Sequence, residues 1–188
     1  GDAVRDGMFL SLTVTSDQLA PAMDVFADVA MHPSFKPEEL ERERTKALDG
    51  LKVAYSEPGQ LASMVSSRAV YGLGPYGKPA DGTPASIRAI QRDDIVTGYR
   101  GYWRPDTTTL VMAGDITPDQ AQQMADRLFG GWAKPNAPAA APPAAGTPAP
   151  ARTYVIDMPQ SPQAAVAVAR VTIARKDPRY YPMVVAEQ

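Results

Sequence analysis

The stretch from Pro33 to Gly59, PSFKPEELERERTKALDGLKVAYSEPG, decides how the rest of the chain is read. Pro37 suits the first position of a helix, where its missing N–H costs nothing. Glu38 and Glu39 follow and complement the positive end of the helix dipole. Leu40, Ala47, Leu51 and Ala54 make one apolar line, with Leu48 and Tyr55 beside it, and Pro58-Gly59 closes the run. One long helix is expected. Its opening charges, EELERER from Glu38 to Arg44, are carboxylate-rich enough to suggest metal chemistry. The simpler reading is a solvated face on which Glu38 with Arg42, and Glu41 with Arg44, pair for about 0.3 kcal/mol each.

Composition narrows the chemistry. The chain has 188 residues, 44% hydrophobic and 21% charged, which suits one domain or one domain with part of a second. The formal net charge is −2 and the basic residues are scattered, so no electrostatic footprint for nucleic acid is present. No apolar run approaches a membrane span. Cysteine is absent, which excludes disulfides, thiolate metal sites and cysteine nucleophiles. The one histidine, His32, precedes Pro33 and is expected in the loop that ends a helix, as a cap or loop hydrogen-bond partner rather than a metal ligand.

Outward from the long helix, Met8 to Thr15 (MFLSLTVT) alternates like a half-buried strand after a turn at the start. Opening in a strand implies that part of the domain precedes it. Asp17 to Met31 reads as a helix with Leu19, Met23, Phe26 and Ala30 on its core face. A helix from Gly59 to Tyr71 follows, then a turn-rich loop from Gly72 to Pro84 that lacks the phosphate-loop pattern. Short helices are expected after Thr83-Pro84 and from Asp93 or Asp94 to Trp103. Thr107 to Gly114 reads as a strand and Thr117-Pro118-Asp119 as a helix start, with Gly130-Gly131 as its stop. Lys134 to Arg152, almost entirely Ala, Pro and Gly, reads as a semi-rigid linker. Two strands, Thr153 to Met158 and Gln163 to Ile173, and a helix from about Pro178 complete the pattern.

Four segments in this order, HPSFKPEELERERTKALDGL, YGLGPYGKPADGTPASIRAI, YRGYWRPDTTTLVMAGDI and RLFGGW, resemble the insulinase/pitrilysin superfamily of zinc metallopeptidases. The segment IDMPQSPQAAVAVAR resembles the opening strands of that family's next domain. The resemblance implies an α+β fold, a mixed and mostly antiparallel sheet with helices packed on one side, incomplete at both ends. It divides the chain into a first α/β domain over 1–133, the linker over 134–152, and the start of a related second domain over 153–188.

Catalytic members carry H-x-x-E-H on a helix upstream of the region matched here, with two zinc-binding histidines and a glutamate base. A downstream helix supplies the third ligand, a glutamate. The resemblance puts an auxiliary acid at Glu43 and that ligand at Gly50, which has no side chain to offer. Asp49 is adjacent, but it projects about 100° away around the helix. Neither catalytic nor metal-binding residues are therefore expected in this chain, and Gly50 is expected to pack closely against another backbone. The implied function is a zinc-lacking, non-catalytic half of a bacterial metallopeptidase, shaping a chamber for unfolded peptide. Zinc would reside in an H-x-x-E-H-bearing partner half, on the same polypeptide or a second subunit. Two alternatives stand beside it: a fragment of an active enzyme whose H-x-x-E-H helix lies upstream, and a structural scaffold subunit. A periplasmic or cell-envelope location is expected from bacterial members of the family.

Overall fold

Among the described residues, four of the seven helices begin on a proline, because a residue with φ fixed near the helical value and no N–H to satisfy fits the first turn and nowhere later. The computed structural model of the protein describes residues 1–141, 147 and 150–186. Its helices are α1 (Leu19–Met31), α2 (Pro37–Ser56), α3 (Pro58–Tyr71), α4 (Pro84–Ala89), α5 (Arg92–Tyr102), α6 (Pro118–Phe129) and α7 (Tyr180–Ala186). No helix among the described residues is long and apolar enough to cross a membrane.

The chain divides into two compact units, Gly1–Leu48 with Pro84–Pro142, and Asp49–Thr83 with Pro143–Gln188. The first unit opens with an antiparallel hairpin, β1 (Asp2–Val4) against β2 (Gly7–Phe9), in the register Asp2 to Phe9 and Val4 to Gly7. A single 3-10 turn, Ser16–Gln18, leads into α1. Met23, Ala27 and Ala30 of α1 are buried, as is Ile87 of α4. α1 packs on α6, and Asp24 joins Arg127 across that contact at 2.7 Å. The start of α6 follows its sequence signals closely. Thr117 accepts from the Gln120 N–H while the Gln120 side chain accepts from the Thr117 N–H, a reciprocal cap. α5 is capped by Gln91 with Asp94 rather than by Asp93 or Asp94 alone.

The loop between α1 and α2 is held from α5. Phe35 takes a left-handed backbone, φ 44°, which a Cβ-bearing residue adopts only at a cost. Its carbonyl accepts from Arg92 Nε at 2.9 Å and the Ser34 carbonyl from Arg92 Nη2 at 3.3 Å. The Phe35 ring meets Tyr99 edge-on at 5.4 Å, and the Tyr99 hydroxyl donates to the Ala30 carbonyl at 2.8 Å. Burial pushes the Tyr99 phenol above its ordinary range. These contacts set the angle at which α2 begins.

In the second unit α3 packs on a short 3-10 turn, Pro75–Gly77, and Tyr71 lies 5.7 Å from Tyr76. Two glycines there are sterically required. Gly72 ends α3 at φ 57° with the Thr147 carbonyl against the place a Cβ would fill, and a Cβ at Gly77 would collide with the Gly72 carbonyl.

The mixed sheet expected from the sequence is not formed among the described residues. Met8 to Thr15 is strand only as far as Phe9, and Thr107 to Gly114, Thr153 to Met158 and Gln163 to Ile173 have no ladder. Alternation reports only that side chains suit a pleated surface; a strand also needs a neighbour for its N–H and C=O groups. The apolar faces of these segments lie open, with Val166 and Val168 90% and 96% exposed. Residues 142–146 and 148–149 of the Ala/Pro run lie outside the described residues.

Candidate functional site

α2 carries the residues that the metal question turns on. Its buried line is not quite the apolar one. Ala47 is exposed, and the inward positions are Leu40, Arg44, Leu48, Leu51, Ala54 and Tyr55. Arg44 therefore sits four residues from Leu40 and four from Leu48, on the face turned from solvent, with its side chain only 13% exposed. Its guanidinium donates to the carbonyls of Ile87 and Ile90, the latter at 2.7 Å, while Glu41 pairs with it at 3.2 Å. Those carbonyls belong to the end of α4, where backbone acceptors have no partner within the helix. Arg44 thus caps α4 from α2.

The other charges stay at the surface. Arg42 pairs with Glu39 at 2.7 Å and with Glu43 at 3.0 Å, not with Glu38, because the three-residue spacing and the adjacent position place those carboxylates nearer. The hydrogen bond that Arg42 donates to Glu39, helped by the charges of Glu39 and Glu43, raises the guanidinium above its ordinary value. Glu43 also faces Lys46 at 3.7 Å. Asp49 is engaged by Lys52 at 2.7 Å.

Gly50 lies seven residues beyond Glu43 and so on nearly the same face. It is exposed, and no atom of the described residues lies within 4 Å of the position a Cβ would occupy. Among the described residues, the expected close approach of another backbone is absent. Gly50→Ala should then stabilise α2 by up to about 1 kcal/mol, the helix-propensity difference, with no steric penalty. The denaturation midpoint measures it, and a fall in stability would show a hidden contact at this site.

His32 ends α1. Its N–H donates to the Asp28 carbonyl at 2.7 Å, and its Nδ1 lies 3.1 Å from the Asp28 carboxylate. Among the described residues, no group of three or more His, Asp or Glu side chains is placed to hold a metal ion, so His32, Glu43 and Asp49 are not gathered into one site.

A second polar centre went unread in the sequence. Arg104 is 2% exposed and pairs with Asp106 through two parallel bonds, Nε to Oδ1 at 2.9 Å and Nη2 to Oδ2 at 2.8 Å. The hydrogen bonds that Arg104 donates hold the Asp106 carboxyl below the usual range, and the same bonds raise Arg104. The Arg104 carbonyl accepts from the Thr108 hydroxyl at 2.7 Å and from the Thr107 N–H at 3.1 Å. Arg104-Pro105-Asp106 is thus a turn locked by its own ion pair. The R-P-D order was its only signal in the sequence.

Residues 3–83 match the family described as insulinase (peptidase family M16), and residues 89–188 match the peptidase M16 inactive domain. The chain is 28% identical over 111 residues to the uncharacterized zinc protease YmxG of Bacillus subtilis, covering 59% of this chain and 27% of that protein. It is 26% identical over 116 residues to an uncharacterized zinc protease of Rickettsia bellii, covering 62% of this chain and 28% of that protein. The chain thus spans little more than a quarter of the length of these relatives. Among solved structures, a peptidase M16 inactive domain from Pseudomonas fluorescens superposes with a TM-score of 0.63 at 26% identity, over 70% of this chain and 32% of that one. A putative M16-like peptidase from Alicyclobacillus acidocaldarius, 22% identical with a TM-score of 0.55 over 69% of this chain and 29% of that one, shares the fold.

Proposed function

The chain belongs to the insulinase family of peptidases, peptidase M16, and on that premise we propose that it forms part of a zinc-lacking, non-catalytic half of a metallopeptidase. The observation that carries this reading is Gly50. The resemblance puts the third zinc ligand there, and the position is a bare, exposed glycine, with Glu43 and Asp49 occupied by surface cations. The match of residues 89–188 to the inactive domain supports the same reading. Zinc and the general base then belong to a catalytic half, on the same polypeptide or in a second subunit. This half encloses the peptide and excludes bulk water.

The extended segments 153–158 and 163–173 serve in this proposal as strands of the family's mixed sheet, given neighbours by the rest of the assembly. An exposed strand edge there would read an unfolded peptide through its backbone, with little demand on sequence. Zinc content by mass spectrometry tests the reading: the purified chain should hold none after dialysis, and the assembly with its catalytic half should hold one ion per pair. Stoichiometric zinc on this chain alone would falsify it.

A second reading has its own observation. Residues 3–83 match the insulinase model itself, and the curated relatives are called zinc proteases. On this reading the chain is a piece of an active enzyme whose H-x-x-E-H lies upstream, with a residue other than Gly50 completing the site. The upstream residues of the longer protein separate the two: an H-x-x-E-H there whose Glu→Gln variant loses peptidase activity supports the second reading, and activity that appears only with a separate zinc-bearing half supports the first.

A further inference from the structure

We propose that Asp81-Gly82 is a site of spontaneous covalent modification, where aspartate converts to isoaspartate through a succinimide. Asp-Gly occurs three times in the chain, at Asp6-Gly7, Asp49-Gly50 and Asp81-Gly82. The chemistry open to each is the same, because glycine has no Cβ to shield its amide nitrogen. That nitrogen bonds to the aspartate Cγ, and the carboxyl OH leaves with the amide hydrogen as water. The cyclic imide then takes water back. Opening at Cγ restores aspartate. Opening at the main-chain carbonyl leaves the chain running through the side chain, with an added methylene and a free α-carboxylate. Water is the only co-reactant, lost in the first step and regained in the second.

The fold separates the three sites. Asp49-Gly50 lies inside α2, where the glycine nitrogen belongs to the helical ladder and Lys52 holds the carboxylate at 2.7 Å. That helix must open locally before the two groups can meet. Gly7 is paired with Val4 at the end of the β1–β2 ladder, so its nitrogen sits in a paired strand.

Asp81-Gly82 has neither restraint. Asp81 is exposed in the turn-rich loop between α3 and α4, and among the described residues its carboxylate makes no hydrogen bond or ion pair. Gly82 takes a left-handed backbone, φ 76°, and its N–H is held by one turn bond, to the Pro79 carbonyl at 3.2 Å. Opening an exposed turn costs less than opening the middle of a helix, so the nitrogen and the carboxyl carbon meet most often here. The added methylene lengthens the turn, and each conversion records the age of the chain. Nothing in this chemistry depends on the peptidase reading.

The test uses the whole chain, held folded in warm, neutral, heavy-oxygen water. Isoaspartate keeps a heavy oxygen and resists an endoproteinase that cuts before aspartate. Peptide mapping by mass spectrometry should find the product first at Asp81, severalfold ahead of Asp6 and Asp49. The same chain unfolded in guanidinium chloride should form it at all three sites at similar rates, because the protection given by α2 and the hairpin is then gone. No product at Asp81 in the folded chain, product at Asp6 or Asp49 as early as at Asp81, or the same ranking in denaturant would overturn the proposal.

Discussion

Asp106→Asn should lower the melting temperature of the chain at neutral pH by about 5 °C or more, and the difference from wild type should shrink as the pH approaches 3. Arg104 is a buried charged residue, and Asp106 is its bidentate partner. An amide in place of the carboxylate leaves the guanidinium without a counter-charge and turns an NH2 group towards it. The pH dependence follows from the direction of the shift. The folded carboxyl of Asp106 sits below its ordinary value of 3.8, so its stabilisation is complete above that value. It is lost as the pH falls through the lower, folded value, where wild type and variant become alike. Hydrogen bonding to Asp106 raises Arg104 above its already strongly basic ordinary value, so it adds nothing to this window. Combining Asp106→Asn with Arg104→Met should recover much of the loss, because a buried pair replaced by an apolar side chain leaves no orphan charge. Thermal melts from pH 3 to 7 read all of this. A pH-independent difference between wild type and Asp106→Asn would show that the pair contributes through shape rather than charge.

Arg44→Ala should cost about 2–3 kcal/mol in urea denaturation, an order set by charged hydrogen bonds to carbonyls that are left unpaired when the donor goes. Two acceptors at the end of α4 lose their cap, and the first unit loses the tie between α2 and α4. Arg44→Lys should restore less than half of it, since one ammonium cannot serve both carbonyls with the geometry of a planar fork. By contrast, Arg42→Ala should change stability by less than about 0.5 kcal/mol, because its pairs with Glu39 and Glu43 are solvated. Equal losses at Arg42 and Arg44 would contradict the division of the EELERER run into a surface part and a structural residue.

What the sequence disclosed, it disclosed through local rules. Pro37, Pro58, Pro84 and Pro118 open helices because φ and a missing N–H act within one residue, and the Thr117 to Gln120 cap acts within four. Arg44 was hidden by residue type: its position matches the buried period, but a guanidinium among glutamates reads as surface. The Arg104–Asp106 lock was hidden because burial is supplied by the surrounding fold and not by the turn itself. Strands fared worst. The alternation in Gln163 to Ile173 is plain, yet pairing is a property of two segments, and the second is not written in the first. Gly50 shows the reverse error. Its absent side chain was legible, but open space and close packing are both ways to place a glycine on a helix.

The alternating segments of the second unit bear on how the chain behaves in a tube. Gln163 to Ile173 offers Val166, Val168 and Val171 to solvent, with Arg170 as its one charge. A short, nearly uncharged run of β-branched residues with no strand ladder among the described residues is a template for a second copy of itself. Kept alone and concentrated, such a chain pairs edge to edge and precipitates. The same pairing capacity should make the chain colloidally fragile at high concentration, and lysine or glutamate at Val166 or Val168 is the gatekeeper that should keep it in solution.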